Sequence, residues 1–113
     1  MKEIQRYLKQ YLLRLSIDPT HKGYTQLYDC VLARIAKETT ITEIYTEVGK
    51  KYNVQGKTVL RNVTYALNKA EKLEERLSEV LGIRIDPNAM HTGLVITYLA
   101  EIVKEPEVFE LPA

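Results

Sequence analysis

The sequence predicts an all-α fold: a compact bundle of five to six helices in a single helical domain over residues 1–113. Three observations predict it. Apolar residues recur in steps of three and four along nearly the whole chain, the period of a helix with one buried face. Alternation of apolar and polar residues reaches at most six positions, at residues 13–18 and 81–86, each running into an Asp-Pro turn signal, so no strand is indicated. The breaks between periodic segments are short and hold cap and turn residues, as helix connections in bundles do.

Each element follows in order. Ile4, Tyr7, Leu8, Tyr11, Leu12 and Leu15 share one face of a helix over residues 2–15. Asp18-Pro19-Thr20 stops it, and either Asp18 or Thr20 caps the next helix, whose first turn tolerates proline. Tyr24, Leu27, Tyr28, Val31 and Ile35 carry that second helix to about Lys37. Thr39-Thr40 breaks the chain, and Ile41, Ile44, Tyr45, Val48 and Tyr52 mark a third helix. Asn53-Val54-Gln55-Gly56 reads as a tight turn, because Asn and Gly accept positive φ. A fourth helix starts near Lys57 with Val59, Val63, Ala66, Leu67 and Ala70 on its apolar side. Leu73, Leu77, Val80 and Leu81 continue it or begin a fifth, ending at Gly82. Asp86-Pro87 opens another capped start, and Leu94, Val95, Tyr98, Leu99 and Ile102 form the last helix, ended by Pro106. The acidic tail over residues 105–113 is expected to fray.

Composition narrows the function classes. A chain of 113 residues with 45% hydrophobic residues holds a core and is too apolar for disorder. Its single cysteine, Cys30, makes no internal disulfide and fits a reducing, cytoplasmic location. No stretch approaches the roughly 18 apolar residues of a membrane span, and Lys2, Arg6, Lys9 and Arg14 break the first apolar run, so no membrane partner is expected.

The formal net charge of +1 conceals an uneven distribution. Residues 1–37 carry net +4 and residues 38–49 carry net −3. Residues 50–70 hold Lys50, Lys51, Lys57, Arg61 and Lys69 and no acid, net +5. Such a cluster sets the local potential within a Debye length of about 8 Å, whatever the total.

Reactive constellations are missing. His21 and His91 stand far apart, no HExxH or CxxC spacing occurs, and no metal site is expected. Neither GxxxxGK[ST] nor GxGxxG is present, so no phosphate-cradling loop and no cofactor are implied. Cys30 lies on the apolar side of the second helix between Leu27 and Val31, the setting of a buried structural thiol. Glu74, Glu75 and Arg76 read as a solvated face. The expectation is a protein that is not an enzyme.

One constellation stands above this background. From Tyr45 to Tyr65 the residues meet the demands of a helix-turn-helix, placed at about residues 41–70. Gly49 supplies the small residue at the helix crossing, Asn53 the turn, and Val54 the return to the core. Val59 and Val63 anchor the second helix. Gln55, Lys57, Thr58, Leu60, Arg61, Thr64 and Tyr65 then face outward. A helix about 12 Å across fits the DNA major groove, where such side chains reach base edges and phosphates. The net +5 segment is the same segment, as a polyanion-facing surface requires.

Residues around this unit resemble a known family. His21-Lys22-Gly23-Tyr24 with Leu27, Ile41-Thr42, Lys50-Lys51-Tyr52-Asn53 and Val59-x-Arg61-x-Val63-x-x-Ala66 resemble, in order and nearly in spacing, the C-terminal DNA-binding effector domain of the master sporulation response regulator of spore-forming bacteria (the stage 0 sporulation protein A family). The resemblance runs from about Leu12 to Ala70 and weakly beyond. It implies a six-helix bacterial effector domain that binds duplex DNA through the major groove, often as a dimer, to regulate transcription, with contact to RNA polymerase or another regulator. The family's receiver domain has no counterpart here, and a stand-alone relative is expected.

The resemblance carries over unevenly. Arg61 matches a basic residue of the family's recognition helix, and Lys50 and Lys51 match a basic pair that positions phosphates. The family has arginine where this chain has Thr58 and Thr64, an acid at Leu60 and histidine at Tyr65. Two guanidiniums able to grip guanine are therefore missing, each worth about 1–3 kcal/mol of base discrimination. Lys57 partly replaces their charge, and Lys69 completes the basic segment. Specificity differs from the family's or is lower. Leu60 has three open readings: a scattered surface leucine, a contact to a thymine methyl, or a protein-binding patch with Tyr65. That patch motivates the alternative function, a protein–protein interaction module on a helix-turn-helix that has lost base-specific recognition.

Residues 57–81 leave a further choice. Val59, Val63, Ala66, Ala70, Leu73, Leu77 and Val80 form three heptads without a breaker. Either the helix kinks near Ala70 and its second half covers the core, or it runs on and residues 70–81 pair with a second copy of the chain.

Overall fold

The structure, a computed structural model, describes residues 2–82, 84–85 and 91–104. These form six helices and no strand: α1 (Lys2–Arg14), α2 (Lys22–Ala36), α3 (Ile41–Tyr52), α4 (Gly56–Lys69), α5 (Leu73–Leu81) and α6 (Thr92–Lys104). The all-α bundle is therefore present. The radius of gyration is 13.1 Å, the value of a close-packed domain of this length.

Two helices organise the packing. α2 touches α1, α3, α4 and α6, and α4 touches α2, α3 and α6. The core between them takes Leu8, Leu12 and Leu15 from the N-terminal segment, Leu27 and Val31 from α2, Ile44 from α3, Val59 and Val63 from α4, and Ile96 and Leu99 from α6. Cys30 is fully buried among them, and burial pushes its thiol up to about 12. The closest helix approach is at Gly23 in α2. A Cβ there would lie 2.7 Å from Ala66 Cβ, and the Asn62 carbonyl oxygen is nearer still. The buried Gln26 accepts a hydrogen bond from Asn62 Nδ2 at 3.1 Å across the same interface.

The helix ends show where local signals held. Thr40 caps α3 by accepting from Glu43 N, as the Thr39-Thr40 break suggests. Asn53 adopts the left-handed conformation (φ 57°) and Gly82 ends α5 in the same way (φ 70°).

Elsewhere the structure corrects the sequence reading. α1 is stopped by Ser16, which takes a left-handed φ of 61° while Ile17 N donates to Leu12 O. Ile17 is thereby turned into the core. Asp18 and Thr20 do not cap α2: its N-cap is His21, and Asp18 instead accepts from Thr20 N and Oγ1 to close the preceding turn. Gly56 is the first residue of α4 and not a positive-φ turn residue. It is small because a Cβ would come within 3.0 Å of Thr46 N.

The heptads of residues 57–81 do not form one helix. α4 ends at Lys69, and α5 begins after Lys72, which has a left-handed φ of 53°. Packing supplies the reason. A straight helix over those residues would run roughly 37 Å, nearly the longest extent of the molecule (39 Å). The bend instead returns Leu73 and Leu77 to the chain's own core. Of the two alternatives left open by the sequence, the break near Ala70 is the one observed, and Ala70, Leu73 and Leu77 are buried within the chain.

Among the described residues no helix is long and apolar enough to cross a membrane. The capped start at Asp86-Pro87 and the tail over residues 105–113 lie outside the described residues.

Candidate nucleic-acid interface

α3 and α4 are joined by residues 53–55 alone. The left-handed Asn53 folds the turn back so that Val54 N donates to Gly49 O at 2.9 Å. A Cβ on Gly49 would lie 2.5 Å from Val54 O, so only glycine admits this turn. Gly49 therefore serves the turn's backbone, and the α2–α4 crossing is served by Gly23. Val54, expected in the core, is 37% exposed, because the reversal at Asn53 turns its side chain outward.

With Val59, Val63, Ala66 and Leu67 buried, α4 turns a polar face to solvent. Lys57, Arg61, Tyr65 and Lys69, each four residues from the last, form an exposed ridge along it. Lys69 Nζ stands 5.5 Å from the centre of the Tyr65 ring, and the His21 ring meets Tyr65 edge-on at 5.4 Å. Tyr65 is thereby held between the start of α2 and the end of α4. α4 has no acidic residue. Among the described residues Lys50, Lys57, Arg61 and Lys69 enter no ion pair.

The other residues singled out by the sequence are placed differently. Lys51 is bound at 3.1 Å to Asp29 of α2, which also accepts the Tyr52 hydroxyl. Gln55 is exposed at the N-cap of α4, where its carbonyl accepts from Thr58 N and Val59 N. Thr58 and Thr64, expected to face outward, are half-buried. The Thr64 hydroxyl is hydrogen-bonded to that of Thr92 at the start of α6, so it is not presented to a groove of DNA.

Leu60 and Tyr65 are both exposed, yet they share no patch. Five positions along a helix separate them by about 140°. Leu60 lines a groove shared with α3 and α6, whereas Tyr65 lines a small hollow with His21, Lys22 and Asn62.

Sequence reasoning missed the contribution of α2. Lys22 is exposed beside the Tyr65 ridge, and His21 touches it. The signal was present in the His21-Lys22-Gly23-Tyr24 run and in the basic N-terminal third, but nothing local tied either to α4. No cluster of three or more metal-ligating side chains occurs among the described residues.

Comparison with protein-family models, curated proteins and solved structures gives no match to this chain. The resemblance to the sporulation regulator's effector domain therefore stands on the quoted residues alone.

Proposed function

We propose that this chain binds duplex DNA as a transcriptional regulator, with α3 and α4 as a helix-turn-helix and α4 in the major groove. The observation that carries the reading is the acid-free ridge of Lys57, Arg61, Tyr65 and Lys69, with Lys50 exposed nearby. Unpaired cations on one exposed face lower the free energy of a polyanion placed against it, and a helix fits the groove in width. Lys50, Lys57 and Lys69 supply phosphate contacts that position the helix. Arg61 is the one guanidinium on the ridge and the natural reader of a guanine edge. With Thr64 tied to Thr92, base discrimination rests on few side chains, and sequence preference is weak. Lys51 serves chiefly to pin α3 to α2 through Asp29.

The test is fluorescence anisotropy on duplexes enriched from a random library, titrated from about 50 to 200 mM salt. Three phosphate contacts give a log–log salt slope of about −3; Lys57→Ala reduces the slope by about one, whereas Arg61→Ala weakens binding and relaxes sequence preference. Absence of duplex binding at the lowest salt, with no change on Arg61→Ala, would sink the reading.

A further inference from the structure

A groove of about 850 Å³ opens between the first turns of α3 and α6 and the flank of α4. Its volume is that of a small-molecule site. Ile41, Leu60, Leu67, Leu73, Leu94 and Val95 make it largely apolar.

Two further features set its chemistry. The first is Tyr45, which lines the groove and is only 7% exposed. Its hydroxyl is fully buried and has no hydrogen-bond partner among the described residues. Native structures rarely leave a buried hydroxyl unsatisfied, and such an atom calls for an absent acceptor. The hydroxyl lies beside Gly93 at the start of α6: a Cβ on Gly93 would sit 3.8 Å from it and 3.5 Å from Ile41 Cγ1. Glycine thus leaves a methyl-sized space between Ile41 and the hydroxyl.

The second feature is electrostatic. Among the described residues no Asp or Glu lines the groove, whereas Arg34 and His91 do. The helices α3 and α6, of 12 and 13 residues, both begin at its wall. First-turn N–H groups have no acceptor within their own helix, and the dipole favours negative charge there. The walls are largely apolar, and Arg34, which also donates to the Thr39 carbonyl oxygen, and the two helix starts favour an anion.

We propose that this groove binds a small apolar molecule carrying a carboxylate, whose oxygen accepts from the Tyr45 hydroxyl and whose charge faces Arg34 and the starts of α3 and α6. The hydroxyl stays a donor at neutral pH, since burial pushes it up to about 12. The apolar part of the ligand lies along Leu60 and Leu67 of α4. This site is separate from the cationic ridge and does not depend on the DNA reading.

The experiment is NMR titration of the full chain, with no DNA present, using octanoate and naphthoate as probes and octanol and octylamine as comparators. At least one carboxylate gives saturable shifts centred on Ile41, Tyr45 and Gly93 and raises the melting temperature, while the alcohol and the amine bind at least tenfold more weakly. Tyr45→Phe weakens the carboxylate at least fivefold yet keeps or raises the melting temperature of the free protein, because the hydroxyl it removes has no partner to lose. Gly93→Ala, whose methyl meets only ordinary contacts, folds and also weakens binding. Failure of both carboxylates to give saturable shifts at those residues would overturn the proposal. Equal binding by octylamine, or undiminished binding by Tyr45→Phe, would do the same.

Discussion

Gly23→Ala adds one methyl group at the tightest point of the molecule. The new Cβ would lie 2.7 Å from Ala66 Cβ and closer still to the Asn62 carbonyl oxygen. Neither neighbour is the end of a flexible side chain: one is a Cβ and the other is backbone of α4. Ordinary carbon contacts begin near 3.4 Å, so α2 and α4 must part by at least about 0.7 Å. The hydrogen bond from Asn62 Nδ2 to Gln26 Oε1, 3.1 Å long, spans the same gap. If it lengthens equally it reaches roughly 3.8 Å and is lost. Gln26 is 4% exposed, so water cannot replace the bond without entering the interface. Overpacking costs about 1–3 kcal/mol, and a stranded buried amide about 1–3 more. The expected loss is therefore about 2–6 kcal/mol, a large share of the roughly 5–15 kcal/mol that holds a domain. At about 4 °C per kcal/mol, the melting temperature falls by roughly 8–24 °C. Urea and thermal unfolding followed by circular dichroism measure both quantities. Gly93→Ala is the matched reference, since its methyl fits. A Gly23→Ala variant within about 0.5 kcal/mol of the native chain would refute the close-approach argument, because surface changes of no consequence fall in that range.

Two further outcomes are expected. Stability falls steeply above pH 9: Cys30 is raised from 9.0 to about 12 and Tyr45 from 10.0 to about 12, so the unfolded chain releases these protons before the folded one does. Their contribution is whole below pH 9, and each group removes up to about 1.4 kcal/mol per pH unit as pH rises through this window. Urea midpoints between pH 8 and 11 measure it, and a flat profile contradicts the burial argument. Tyr52→Phe costs about 1.5–3 kcal/mol, because it strips a hydrogen bond from the Asp29 carboxylate, whose side chain is 13% exposed. Lys51→Ala, removing a well-exposed lysine from the same carboxylate, costs less than about 1 kcal/mol. Chemical denaturation ranks the two, and the reverse order would show that the ion pair, not the phenol, ties α3 to α2.

The helices were legible because burial imposes a period, and the period is written in Leu8, Leu12, Leu27, Val31, Val59 and Val63 alike. Capping by Thr40 and reversal at Asn53 were legible because those residue types favour those conformations on their own. Ser16 and Lys72 were not legible: neither favours the left-handed region, and each adopts it because the next segment must turn Ile17 or Leu73 into the core. The same division runs through the candidate interface. The exposure of Lys57, Arg61 and Lys69 follows from their lying off the apolar stripe. The capture of Lys51 by Asp29, 22 residues away, and of Thr64 by Thr92, 28 residues away, depends on tertiary contacts that no local pattern records.

Two positions where this chain departs from the family it resembles, Leu60 and Thr64, acquire a common meaning in the structure. An acid at position 60, as in the family that the sequence resembles, would place a negative charge in a groove whose described lining holds none. Its arginine at position 64 would stand where a threonine hydroxyl now meets Thr92 and closes the wall between α4 and α6. Leu60 and Thr64 both face that groove, one turn apart on α4, while Arg61 remains on the exposed ridge. Of the two threonines that stand where the resembled family has arginine, Thr64 lines the groove that also holds Tyr45, and Thr58 does not. The ridge of Lys57, Arg61, Tyr65 and Lys69 and the groove-lining Leu60 and Leu67 belong to the same helix. A ligand that shifts α4 by a fraction of an ångström shifts every group that would meet a phosphate, since all four belong to one rigid element.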